Sequence, residues 1–106
     1  MMTDTRTVRF RIGQVVKGRD ADFRALVVDV DAEFAGIPSF RLTPEFAGQP
    51  FYHLLAETPE GPQSAYLPEA SLEADDSGEP VLHPSAAAIF ERRADGGYAP
   101  RRSLVN

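Results

Sequence analysis

Two apolar runs separated by a five-residue break constrain this chain more than any other feature. Gln49-Pro50-Phe51-Tyr52-His53-Leu54-Leu55-Ala56-Glu57 is answered by Gln63-Ser64-Ala65-Tyr66-Leu67-Pro68-Glu69, and Thr58-Pro59-Glu60-Gly61-Pro62 lies between them. Short apolar runs bounded by Pro and Gly read as a β-hairpin. A lone hairpin is not stable in water, so the rest of the chain must supply strands that cover its apolar face.

The chain has 106 residues, which suits a single domain over 1–106. Residues 1–7 and 99–106 are expected to be flexible ends. Val8-Arg9-Phe10-Arg11-Ile12 alternates apolar and basic, the pattern of a half-exposed strand that Gly13 ends. Gln14 to Lys17 resumes an extended run. Phe23 to Asp31 is the strongest strand, and its continuous apolar centre predicts cover on both faces. Residues 32–48 carry Phe34, Ile37, Phe40, Leu42 and Phe46 without a clear period, broken by Gly36, Pro38, Pro44 and Gly48; this reads as a structured connector. Pro80 to His83 reads as a last edge strand. Pro84-Ser85-Ala86-Ala87-Ala88-Ile89-Phe90-Glu91-Arg92-Arg93 reads as a short helix, with Ser85 as N-cap and the two arginines at its C-terminal end. About five short strands, one short C-terminal helix and no βαβ rhythm predict an all-β fold, a small open barrel or strongly bent sheet.

Charge is placed unevenly. The net charge is −5, but residues 1–24 carry six basic and three acidic side chains, while residues 49–80 carry seven acids and no Lys or Arg. Such a chain is not a general polyanion binder. The arrangement that could meet a duplex backbone is the set of terminal cations Arg9, Arg11, Lys17, Arg19, Arg24, Arg92 and Arg93; the simpler reading is a solvated basic surface. No cysteine is present, which excludes disulfides, thiolate metal sites and a cysteine nucleophile. No run approaches the roughly 20 apolar residues of a membrane span, and the N-terminus does not read as a secretory signal.

Candidate chemistry is sparse. Asp29, Asp31 and Glu33 form D-x-D-x-E, but a calcium loop begun at Asp29 meets Phe34 where Gly is needed and Phe40 where Glu is needed. The two aspartates share one strand face and could hold a metal, yet a solvated strand end is the simpler account. His53 and His83 do not stand at metal-ligand spacing. His53 should point away from the face that Tyr52 takes, as a hydrogen-bonded structural histidine. Tyr52, Tyr66, Tyr98, Phe10 and Phe51 could stack bases, but their hairpin lacks interleaved cations, so core filling is preferred. No G-x-S-x-G or phosphate loop is present, and nothing argues for an enzyme or a cofactor.

Several pieces together carry a family likeness. Phe10-Arg11-Ile12-Gly13-Gln14-Val15-Val16, Val27-Val28-Asp29-Val30-Asp31, Gln49-Pro50-Phe51-Tyr52-His53-Leu54-Leu55, Ala65-Tyr66-Leu67-Pro68-Glu69, His83-Pro84 and Asp95-Gly96-Gly97-Tyr98-Ala99-Pro100-Arg101 resemble, in order and spacing, the HspQ family, also called the YccV-like or hemimethylated-DNA-binding domain. Phe51 stands where that family often has Trp, Ala25 where it often has Gly, and Gly18 where it often has His. The resemblance implies a small SH3-like β-barrel, a bacterial cytoplasmic setting and a heat-shock link. It implies two roles: specificity factor and client of the Lon protease, or binder of hemimethylated DNA. A homo-oligomer is compatible with either. On the protease reading the expected contacts are Phe34, Ile37, Phe40 and Phe46 of the connector and Tyr98, Arg101 and Arg102 of the tail. Tyr52, His53, Tyr66 and Leu67 are expected to build the hairpin.

Overall fold

The computed structural model describes residues 8–32 and 48–100. Seven strands and one helix run in the order β1 (Val15–Gly18), β2 (Arg24–Asp31), β3 (Phe51–Thr58), β4 (Gly61–Pro68), β5 (Leu72–Ala74), α1 (Pro84–Ile89), β6 (Phe90–Arg92) and β7 (Tyr98–Pro100). The first five form one antiparallel sheet in the order β4-β3-β2-β1-β5, and β6 and β7 pair as a separate ribbon. The all-β expectation and the short C-terminal helix hold. The bent sheet is not closed into the full barrel that the resemblance implies. Closure requires the two edge strands to bond to each other, whereas β5, three residues long, ladders only to β1, and β4 only to β3, among the described residues.

The expected hairpin is β3–β4, with Phe51 opposite Pro68 and Thr58 opposite Gly61. Its turn is tighter than the five-residue break suggests. Gly61 alone carries a positive φ there, +110°, so a primed two-residue turn is excluded and the chain turns through Pro59-Glu60 before a left-handed Gly. Thr58 Oγ1 accepts from Glu60 N and donates to the Gly61 carbonyl.

Both faces of β2 are covered, as its apolar run predicts. Ala25 and Val27 lie in an inner cluster with Phe10, Val16, Tyr52, Leu54, Ala56 and Leu72. Leu26, between them in sequence and fully buried, faces an outer cluster with Val15, Val81, Ala86, Phe90 and Tyr98. The chain after residue 80 therefore packs over the back of the sheet. Burying each Val, Leu or Phe among them contributes about 1.5–3 kcal/mol.

Three local expectations change. Residues 8–12 are not a strand; the Phe10 ring packs edge-on against Tyr52 in the inner cluster, and its backbone N–H donates to the Tyr52 hydroxyl, which itself donates to Glu69 at 2.6 Å. Burial first, and then the Glu69 hydrogen bond, push the Tyr52 phenol up to about 12, so it stays a donor to Glu69 at neutral pH. Residues 80–83 are not a strand, and His83, not Ser85, caps α1, its Nδ1 accepting from Ser85 N at 3.1 Å. The helix ends at Ile89 because Phe90 turns inward to the outer cluster and starts β6; tertiary burial overrides the helix propensity of the alanine run. Arg92 thus ends a strand instead of a helix, and Tyr98–Pro100, expected to begin the tail, is β7.

Gly13 joins the two layers. Its N–H donates to Val27 O at 2.8 Å, its carbonyl accepts from Tyr98 N at 2.8 Å, and its φ is +94°. A Cβ placed there would lie 2.0 Å from the Tyr98 carbonyl oxygen. Gly13→Ala combines a left-handed backbone cost with overpacking, so the expected loss is about 2–4 kcal/mol, read as a lower urea midpoint; an unchanged midpoint would show that β7 does not lie against this turn.

Candidate functional site

The polar end of the outer face is set by one irregularity in β2. Val27 pairs with Leu54, but Asp29, not Val28, pairs with His53, followed by Val30 with Tyr52 and Asp31 with Phe51. The extra residue is a β-bulge. Without it, side-chain alternation would turn Asp29 and Asp31 into the inner cluster and Val30 out of it. With it, Val30 packs against the inner cluster and both aspartates join His53 on the opposite face.

There, His53 Nε2 lies 3.0 Å from Asp31 Oδ2, and the Tyr66 hydroxyl donates to the same oxygen at 2.8 Å. The His53 and Tyr66 rings, opposite one another across β3 and β4, are 4.5 Å apart. Hydrogen bonds from Tyr66 and then His53 hold the Asp31 carboxyl below its ordinary value, against a smaller opposing effect of burial. Asp29 is exposed, and its Oδ1 accepts from Val30 N at 2.9 Å. The carboxylates of Asp29 and Asp31 and the His53 ring bring three ligand atoms within 4.8 Å of one another. The sequence shows the Asp pair on one face and His53 facing away from Tyr52, and the structure keeps both. Their convergence was not legible, because it depends on strand register and on the bulge.

Three of the seven basic residues singled out for a duplex donate side-chain hydrogen bonds within the chain. Arg24 donates through Nε to Asp75 Oδ2 at 2.5 Å and through its terminal nitrogens to Pro80 O, Glu79 O and Ser77 Oγ. Its cross-strand neighbour Glu57 lies 3.6 Å from it and accepts from Leu82 N at 2.6 Å. Together they clamp residues 79–82 to the sheet. Arg19 donates to the carbonyls of Ala70 and Leu72. Arg92 donates to Gly78 O and stands 6.0 Å over the Tyr98 ring. Arg9, Arg11, Lys17 and Arg93 are exposed. Lys17 sits in register between Arg24 and Glu73, Arg93 lies 3.6 Å from Asp95, and Arg11 lines an open cleft of about 340 Å³ beside Asp75, Asp76, Glu79 and Asp95. Cations on this surface alternate with acids.

Tyr98 is buried, its hydroxyl accepting from Val81 N. Phe34, Ile37, Phe40, Phe46, Arg101 and Arg102 lie outside the described residues. Tyr52 is fully buried, whereas His53, Tyr66 and Leu67 are partly exposed. No helix among the described residues is long and apolar enough to cross a membrane. A family model described as "Hemimethylated DNA-binding protein YccV like" matches residues 8–97.

The Arg24 clamp makes a pH prediction. Burial opposes ionisation of Asp75, but hydrogen bonds from Arg24 and Ser77 and the Arg24 charge outweigh it and hold the carboxyl at about 2. A carboxyl depressed on folding stabilises the protein above its unfolded value near 4, and that stability is lost as pH falls toward 2. Asp75→Asn should cost about 2 kcal/mol at pH 6, with the gap to the parent closing between pH 4 and 2 in denaturant titrations; a gap independent of pH contradicts the clamp.

Proposed function

The chain belongs to the YccV-like family of hemimethylated-DNA-binding proteins, and from that premise we propose a finer role: a non-enzymatic regulator that works by binding another protein, as specificity factor and client of the Lon protease in the stressed bacterial cytoplasm. The observation that carries this reading is the fate of the cations. Arg19, Arg24 and Arg92 spend their guanidinium donors on the protein's own carbonyls and carboxylates. The β3–β4 hairpin holds Glu57 and Glu60 and no Lys or Arg. A surface of alternating charge suits a protein partner better than a polyphosphate. Such a factor acts by differential affinity, favouring the active state of the protease over the inactive one.

The connector side chains Phe34, Ile37, Phe40 and Phe46, with Arg101 and Arg102, supply the contacts in this reading; Tyr98, being buried, anchors the base of the tail. Purified Lon should degrade at least one client faster when this chain is added at micromolar concentration, and should degrade the chain itself. Unchanged turnover of every client tested removes the proposal.

The family description favours a second reading, binding of hemimethylated DNA through Arg9, Arg11, Lys17 and Arg93. Four phosphate contacts give a log–log salt slope of about −4. Fluorescence anisotropy with a hemimethylated duplex distinguishes the readings: binding with that slope, weakened by Lys17→Glu, supports DNA, and no binding at about 50 mM salt discards it.

A further inference from the structure

We propose that Asp29, Asp31 and His53 form a zinc-binding site on the outer face of the sheet. The set mixes two kinds of donor, one imidazole and two carboxylates, delivered by adjacent strands. Their ligand atoms lie within 4.8 Å of one another. Two ligands on a tetrahedral Zn2+ with bonds near 2.0–2.1 Å are about 3.3–3.4 Å apart. His53 Nε2 and Asp31 Oδ2 stand at 3.0 Å in a hydrogen bond, so a zinc ion would replace the proton between them after only a small separation of the two atoms. Asp29 is exposed and can rotate its carboxylate toward them.

The surroundings hold the pair in place before any ion arrives. The Tyr66 hydroxyl donates to Asp31 at 2.8 Å and its ring packs 4.5 Å from the His53 ring. This is the supporting shell that orients metal ligands and sharpens their affinity. The bulge that brings all three residues to one face also places two carboxylates beside each other, and neither makes an ion pair with Lys or Arg among the described residues. A cation is the partner that two neighbouring carboxylates and an imidazole can share.

The donor set favours zinc over the hard cations. Ca2+ and Mg2+ prefer oxygen alone and six or more ligands, and thiolate-seeking metals find no cysteine. One nitrogen and two oxygens suit Zn2+, with water completing a four-coordinate shell.

The test is calorimetric titration of the metal-stripped full chain with ZnCl2. One equivalent should bind, excess MgCl2 should not compete, and His53→Gln and Asp29→Asn should each weaken binding at least about tenfold, with Tyr66→Phe weakening it less. The exposed Asp29 side chain makes Asp29→Asn the variant that keeps the fold, checked by an unchanged urea midpoint. Absence of zinc binding, competition by Mg2+, or binding unchanged in Asp29→Asn overturns the assignment.

Discussion

The structure depends on β2 having no face open to water. Ala25 and Val27 fill the inside of the bent sheet, and Leu26 fills the outside. A single sheet covers only one side of such a strand, so the chain must bring a second layer to the other. Residues 81–98 are that layer, a capped helical turn and a small ribbon carrying Val81, Ala86, Phe90 and Tyr98. Its apolar contacts are modest in number, and polar contacts set its position: Arg24 and Glu57 grip residues 79–82, and Gly13 bonds to both Val27 and Tyr98. Hydrogen bonds to charged groups contribute about 1.5–3 kcal/mol each, enough to fix where a short segment docks. The arginine that composition offers to a partner is the one the fold uses to close itself.

The same strand organises the polar surface. A regular β2 would bury two carboxylates and expose Val30, an arrangement that costs several kcal/mol per unpaired charge. One extra residue between Val27 and Asp29 avoids that cost. It also assembles Asp29, Asp31, His53 and Tyr66 at the end of the sheet away from the Arg24 clamp. The outer face therefore passes from a charged row of Glu57, Arg24, Lys17 and Glu73, through the covered apolar centre, to an imidazole–carboxylate cluster.

Much of the core was legible because it follows from local pattern. Strand alternation places His53 on the face away from Tyr52, and the unbroken apolar run in β2 demands two covered faces; both hold. What misled were signals that are local in sequence but decided by distant partners. Arg9-Phe10-Arg11 alternates like a strand, yet Phe10 is fixed by Tyr52 and Glu69 across the sheet. The alanines after Ser85 favour helix through Arg93, yet burial of Phe90 against Leu26 stops it at Ile89. Closure into a barrel also lay beyond the pattern, since strand count leaves open whether the edges reach each other.

Side-chain periodicity and turn residues such as Gly61 were enough to specify the β3–β4 hairpin, the two-sided burial of β2 and the uneven placement of charge along the chain. Only the tertiary structure decided which cations remain available and which acids converge. Both depend on contacts between residues far apart in the chain, Arg24 with Asp75 and Asp31 with His53, and on a one-residue bulge that reverses which face the aspartates occupy without altering the composition around it.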